Sequence, residues 1–128
     1  MKFYRCTECD QIHIKLIDQN NDVTCCDTPT VELVENNSPD EAQNHVPKIR
    51  KIGNFVTITI DNNHPMVDIH HIEFICMETN QGFQYKKLNI NQEPKVQFIL
   101  ANDEVITNIY LYCNLHSLWS LHLTSESK

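Results

Sequence analysis

Phe55-Val56-Thr57-Ile58-Thr59-Ile60 alternates apolar and polar residues, with Val56, Ile58 and Ile60 on one face, which is the period of a half-buried β-strand. Ile72-Glu73-Phe74-Ile75-Cys76-Met77 is similarly strand-like, and Phe83 to Ile90, Val96 to Ala101, Val105 to Tyr112 and Trp119 to Leu123 continue the texture. Asn62-Asn63, Asn80-Gln81-Gly82, Gln92-Glu93-Pro94 and Asn102-Asp103 punctuate these runs at the spacing of an all-β sandwich or barrel. Long helical periodicity and internal repeats are both absent. Working back from Phe55, the stretch Asn36 to Asn44 is polar and turn-rich and reads as a linker or a loop over a site.

The segment before that linker holds Cys6, Cys9, Cys25 and Cys26 around two short apolar runs, Ile12 to Ile17 and Val31 to Val34, neither of which can bury a core alone. A chain of 128 residues therefore divides into a small satellite, residues 1–36, that needs a metal or disulfide staple, and an all-β domain, residues 37–128. The N-terminus reaches Cys6 without an apolar leader, and no segment approaches the roughly 20 apolar residues that span a bilayer. A reducing cytoplasm is the expected compartment, so the six cysteines read as metal ligands rather than a disulfide framework. The formal charge of -7 argues against a sequence-independent grip on nucleic acid or anionic lipid. With only two glycines, Asn is expected at turns where Gly is usual.

Cys6-x-x-Cys9 with the adjacent pair Cys25-Cys26 supplies four soft thiolates, enough for a closed tetrahedral zinc or iron site. A zinc ribbon offers a second Cys-x-x-Cys; neighbouring cysteines are expected to distort the tetrahedron. A zinc staple, an electron-transfer iron and a pair of redox-active thiols all remain open at this point, with chelation favoured over thiol exchange.

The β-rich segment carries His45, His64, His70, His71, Cys113 and His116. A single histidine is usually a satisfied core or surface residue, but five near turns or strand ends with a cysteine nearby point to a metal. His71 must face away from His70 if both lie on a strand, so one of the two at most ligates from a given face. His13 and His122 read as surface residues and Cys76 as a small buried hydrophobe. An iron(II) held by four thiolates is a dianion, whereas one held by neutral imidazoles and one thiolate is a monocation, so only the second site welcomes an anion. A thiolate opposite an open position pushes electron density toward the metal and favours one-electron reduction of a small dioxygen species.

Cys6-x-x-Cys9, Cys25-Cys26, His45-Val46-Pro47, His64-Pro65-Met66, His70-x-Ile72-Glu73 and Tyr112-Cys113-Asn114-x-His116-x-x-Trp119 occur in the order found in the desulfoferrodoxin family, which the chain resembles from near its start to about Leu123. The resemblance implies a desulforedoxin-like, rubredoxin-type metal domain followed by an immunoglobulin-like β-sandwich, a homodimer, and two irons per chain. It implies Cys6, Cys9, Cys25 and Cys26 as ligands of the first iron, where zinc can substitute, and His45, His64, His70 and His116 as equatorial ligands of the second, with Cys113 axial. The family activity is superoxide reduction to hydrogen peroxide with uptake of two protons, the iron then being re-reduced by an external donor such as rubredoxin. One departure stands out: the family's usual Glu-Lys before His-Val-Pro is Gln43-Asn44 here, with Glu41, Lys48, Arg50 and Lys51 nearby as candidates to stand in. A non-catalytic electron-transfer or metal-binding module, or a purely structural zinc protein, are the competing classes.

Overall fold

The computed structural model describes residues 1–36, 45–61 and 64–123. The linker residues 37–44, including Glu41, Gln43 and Asn44, and the Asn62-Asn63 turn lie outside the described residues. The chain divides into two compact units, Met1–Val34 and a larger one that begins at Glu35.

The first unit contains β1 (Phe3–Arg5), β2 (Ile12–Ile14), β3 (Thr24–Cys25), β4 (Thr28–Pro29) and β5 (Val31–Glu32), arranged as a sheet in the order β2-β1-β5 and a β3-β4 hairpin. Its two apolar runs are only partly strand, and Leu16, Ile17 and Val34 are about four-fifths exposed, so Phe3, Tyr4 and Cys6 are its only fully buried apolar residues, with Ile12, Ile14, Val23 and Leu33 half-buried around them. Cys25 pairs with Thr28 across Cys26-Asp27, and both central residues have positive φ, 53° and 61°, the backbone of a type I′ hairpin turn.

The second unit contains β6 (Lys48–Ile52), β7 (Phe55–Thr59), β8 (Ile72–Thr79), β9 (Gly82–Lys87), β10 (Lys95–Ile99), β11 (Ile106–Cys113) and β12 (Ser117–His122). They form a three-stranded sheet, β10-β7-β6, and a four-stranded sheet, β12-β11-β8-β9, antiparallel at every pairing. One core joins them: Val56 and Ile58 of β7, Val96 and Phe98 of β10, Ile75 and Met77 of β8, and Ile109 and Leu111 of β11 are all buried in it. The alternation of β7 is realised with Val56, Ile58 and Ile60 at 0 % exposure. The result is a β-sandwich, and the chain as a whole is nearly all-β. Non-glycine residues hold left-handed backbone at Asp10, Asn20, Asn91 and Asp103, so Asn and Asp do take turn positions where Gly is usual.

Candidate functional site

The sulfurs of Cys6, Cys9, Cys25 and Cys26 lie within 4.8 Å of one another. Cys6 and Cys9 flank the turn that follows β1, closed by the Asp10 N–H donating to the Cys6 carbonyl at 3.0 Å, and Cys25 and Cys26 sit at the β3-β4 hairpin. The Cys9–Cys25 and Cys25–Cys26 sulfur pairs are 3.7 and 3.9 Å apart. A metal–sulfur bond of about 2.3 Å sets the edge of a regular tetrahedron at roughly 3.8 Å, so both edges fit. Cys26 holds φ 53°, so the adjacent pair reaches this spacing through a left-handed backbone. Backbone N–H groups of Cys9 and Glu8 pull the Cys6 thiol down to about 7. Cys25 is pushed up to about 12, first by its hydrogen bond with Cys6 and then by burial, because four crowded sulfurs do not all ionise without a cation among them.

In the sandwich, His45 precedes β6, His64 follows β7, His70 closes a tight turn before β8, and Cys113 and His116 belong to the β11-β12 hairpin. The imidazoles make a closed cycle. Ring centroids are 4.7 Å apart for His45–His64, 4.9 Å for His64–His70, 4.9 Å for His70–His116 and 5.0 Å for His116–His45, with neighbouring planes at 67–78°. The ligand atoms of His45, His64, Cys113 and His116 fall within 4.8 Å of one another; His70 completes the ring cycle but stands outside this tightest set. His64 Nδ1 donates to its neighbour's carbonyl, Pro65 O, at 2.8 Å, which leaves the lone pair on Nε2, 3.0 Å from His45 Nε2. Burial, reinforced by the surrounding histidines, pulls the His64 pKa down to about 4 and keeps the ring neutral at pH 7. His116 turns Nδ1 toward the buried Cys113 sulfur at 3.7 Å. Four imidazoles and one thiol converging in this way suit a transition metal of intermediate softness, iron included.

Side chains around the cycle hold it in place. Trp119 stacks on His45 at 4.4 Å and 6°, and its Nε1 donates to the His116 carbonyl at 3.0 Å. Asn36 Nδ2 donates to the same carbonyl at 3.2 Å. Asn114 ties the His70 turn to the Cys113 hairpin: its Oδ1 accepts from His71 N–H at 2.8 Å and its Nδ2 donates to Ile69 O at 3.1 Å. His71 faces away, with Nδ1 3.0 Å from Val67 O and Nε2 3.5 Å from Glu73, although the pair lies in the turn before β8 rather than on a strand. His122 pairs with Glu35 and Asn108 far along β12, His13 lies on β2, and Cys76 is buried in β8; none joins either cluster. The roles of Asn36, Pro65 and Asn114 escape sequence reasoning, because an asparagine between a cysteine and a histidine looks like filler and a carbonyl carries no side-chain signal.

A family model described as desulfoferrodoxin matches residues 37–122. The chain belongs to the desulfoferrodoxin family. It is 33% identical to a desulfoferrodoxin homolog of Archaeoglobus fulgidus over 93% of this chain and 94% of that protein, and 34% identical to the desulfoferrodoxin of Clostridium acetobutylicum over 77% of each. Among solved structures, the superoxide reductase from Treponema pallidum superposes with a TM-score of 0.78 at 25% identity, covering 94% of this chain and 95% of that one. Among the described residues no helix is long and apolar enough to cross a membrane.

Proposed function

We propose that this chain is a superoxide reductase, with the sandwich site as the place of reduction and the four-cysteine site as an electron-transfer centre. The observation that carries the reading is the closed cycle of four imidazoles beside one buried thiol, with the His64 tautomer set so that Nε2 presents its lone pair. His45, His64, His70, His116 and Cys113 would hold iron there; Cys6, Cys9, Cys25 and Cys26 would hold a second ion, iron or, as a substitute, zinc. Ferrous iron held by the four histidines and Cys113 would supply the single electron that, with two protons, converts superoxide to hydrogen peroxide.

The residues of the chain set the conditions for that chemistry. Cys113 is the one donor that can bring negative charge, so the occupied site keeps a net positive charge and attracts a small anion even on an acidic protein. His45, His64 and Cys113 are buried, whereas His70 and His116 are partly exposed, so the cycle comes nearest to solvent on its His70–His116 side. Trp119 packs against the opposite, buried part of the cycle and shields His45 from water. The reading carries with it a cytoplasmic homodimer with an external electron donor such as rubredoxin.

The test is a pulse of superoxide on the ferrous protein. Reduction gives one peroxide for each superoxide consumed, whereas dismutation gives one for every two. Cys113→Ser is expected to lower the peroxide yield to the one per two superoxide of spontaneous dismutation and leave the visible spectrum of the four-cysteine centre unchanged. Full activity in that variant would remove the thiolate from the site.

A further inference from the structure

The outer face of the β10-β7-β6 sheet is a three-by-three grid fixed by register. Lys48, Thr59 and Lys95 form one row, Arg50, Thr57 and Gln97 the next, and Ile52, Phe55 and Ile99 the third. The apolar row is open to solvent: Ile52, Phe55 and Ile99 are 61%, 52% and 59% exposed. Lys48, Arg50 and Lys95 are exposed as well, and none has an ion-pair partner among the described residues. These three strands hold no carboxylate at all, in a chain with 17 acidic residues and a formal charge of -7.

We infer that this face docks an acidic electron-donor protein that reduces the sandwich site, an inference that rests on the reductase reading. The sign of the charge selects the partner. On so acidic a chain, a carboxylate-free patch of three cations is complementary to a negatively charged protein surface, and such complementarity raises the rate of encounter more than the final affinity. The apolar row separates a macromolecule from a small anion, which gains nothing from Ile52, Phe55 and Ile99. Lysines on edge strands also discourage sheet-to-sheet pairing, but that role leaves exposed Phe55 on the central strand unexplained. A grid of three strands by three outward residues spans about 10 by 14 Å between its Cα atoms and fits inside the footprint of a small, transient redox contact, roughly 600 Å² per partner or less. The charged end of the grid is also the end that leads to the site: β6 begins at Lys48, just after His45-Val46-Pro47, and β7 ends at Thr59, shortly before His64.

The test uses the holoprotein, with reduced rubredoxin as the acidic protein donor and ascorbate as a small anionic donor, followed by stopped flow across a salt series. Lys95→Glu/Gln97→Glu, on β10 and clear of the stand-in candidates Lys48 and Arg50, is expected to slow re-reduction by rubredoxin about three- to tenfold and flatten its dependence on ionic strength. Reduction by ascorbate, capture of superoxide and oligomeric mass are expected to stay as in the parent. Phe55→Gln, which leaves the charges alone, is expected to slow rubredoxin at high salt, where steering is screened. An unchanged rubredoxin rate in both variants overturns the docking face. So does an equal loss with ascorbate and superoxide, which would make the cations a guide for small anions, or a change in mass, which would make the face a contact between copies. A parent protein that yields only one peroxide for every two superoxide would sink the reductase reading instead, and rubredoxin kinetics do not bear on that yield.

Discussion

Cys76 sits in the middle of β8 with 2% exposure, and burial, followed by the negative charge of Glu78, pushes its thiol up to about 12. Glu78 itself accepts from Asn108 Nδ2 at 2.8 Å and from the Tyr110 hydroxyl at 3.1 Å, so its charge is held beside the strand rather than lost to solvent. Burial raises the Tyr110 hydroxyl too. The fold thus retains a proton on Cys76 that the unfolded chain releases around its ordinary value of 9.0, so above that pH the unfolded state binds fewer protons than the folded one. Stability contributed by the neutral thiol is complete below pH 9 and is lost as pH climbs toward 12, by a few kcal/mol at the upper end of that window at about 1.4 kcal/mol per pH unit. Cys76→Ala, at a cost of roughly 1 kcal/mol near neutrality for the vacated volume, is expected to make the decline above pH 9 shallower without abolishing it, since Tyr110 remains. Urea melts at a series of pH values measure both effects. The same burial makes Cys76 inert to alkylation in the native protein at pH 8 and reactive once the chain is denatured.

Asn114 joins two elements that the sequence keeps far apart, the β11-β12 hairpin carrying Cys113 and His116 and the turn carrying His70. Asn114→Ala removes two side-chain hydrogen bonds to backbone and leaves the His71 N–H without its acceptor, a loss of about 1–3 kcal/mol. Asn114→Asp keeps the acceptor for His71 and loses only the donation to Ile69, so it should fall between the parent and Ala. The readouts are the chemical denaturation midpoint and the affinity of the histidine site for iron(II), expected to drop about 10- to 100-fold in the Ala variant, with the four-cysteine spectrum unchanged. Elements of this kind mark the limit of what the sequence makes legible. Strand β7 could be read directly, because Val56, Ile58 and Ile60 alternate with threonines and one face is buried. Strand β6, Lys-Ile-Arg-Lys-Ile, could not, because it is a charged sheet edge with only Ile49 packed on the core. The cysteine and histidine clusters were legible as sets, since residue type and order carry them. Their support was not: the Pro65 carbonyl, the Trp119 stack on His45 and the Asn114 clamp arise from pairing across β8, β11 and β12, which no local pattern encodes.

On the scale of the whole molecule, the two units differ in what makes them fold. The larger one closes a core that holds sixteen buried residues among those described, drawn from both sheets of the sandwich, and its stability follows from that apolar burial whether or not an ion is bound. The unit Met1–Val34 has Phe3, Tyr4 and Cys6 inside, strands of two or three residues, and Leu16, Ile17 and Val34 facing water. So few residues do not offset the entropy of ordering the chain, and a hairpin bent through left-handed Cys26 and Asp27 adds a further cost. What closes this unit is the convergence of four sulfurs, and ligand binding to the folded form alone stabilises it by mass action. Stripping the metal from the four-cysteine site is therefore expected to release the amides of Phe3–Arg5, Ile12–Ile14 and Thr24–Cys25 to exchange at nearly the unfolded rate. Protection in β7, β8 and β11 should be kept. Hydrogen exchange with mass-spectrometric readout, before and after chelation and again after zinc is supplied, measures this segment by segment. Zinc, which carries no redox chemistry, should restore protection as well as iron does if the ion's part in this unit's fold is to gather thiolates. Equal loss of protection in both units on chelation would show instead that the sandwich depends on the metal too, and that the chain unfolds as one cooperative body.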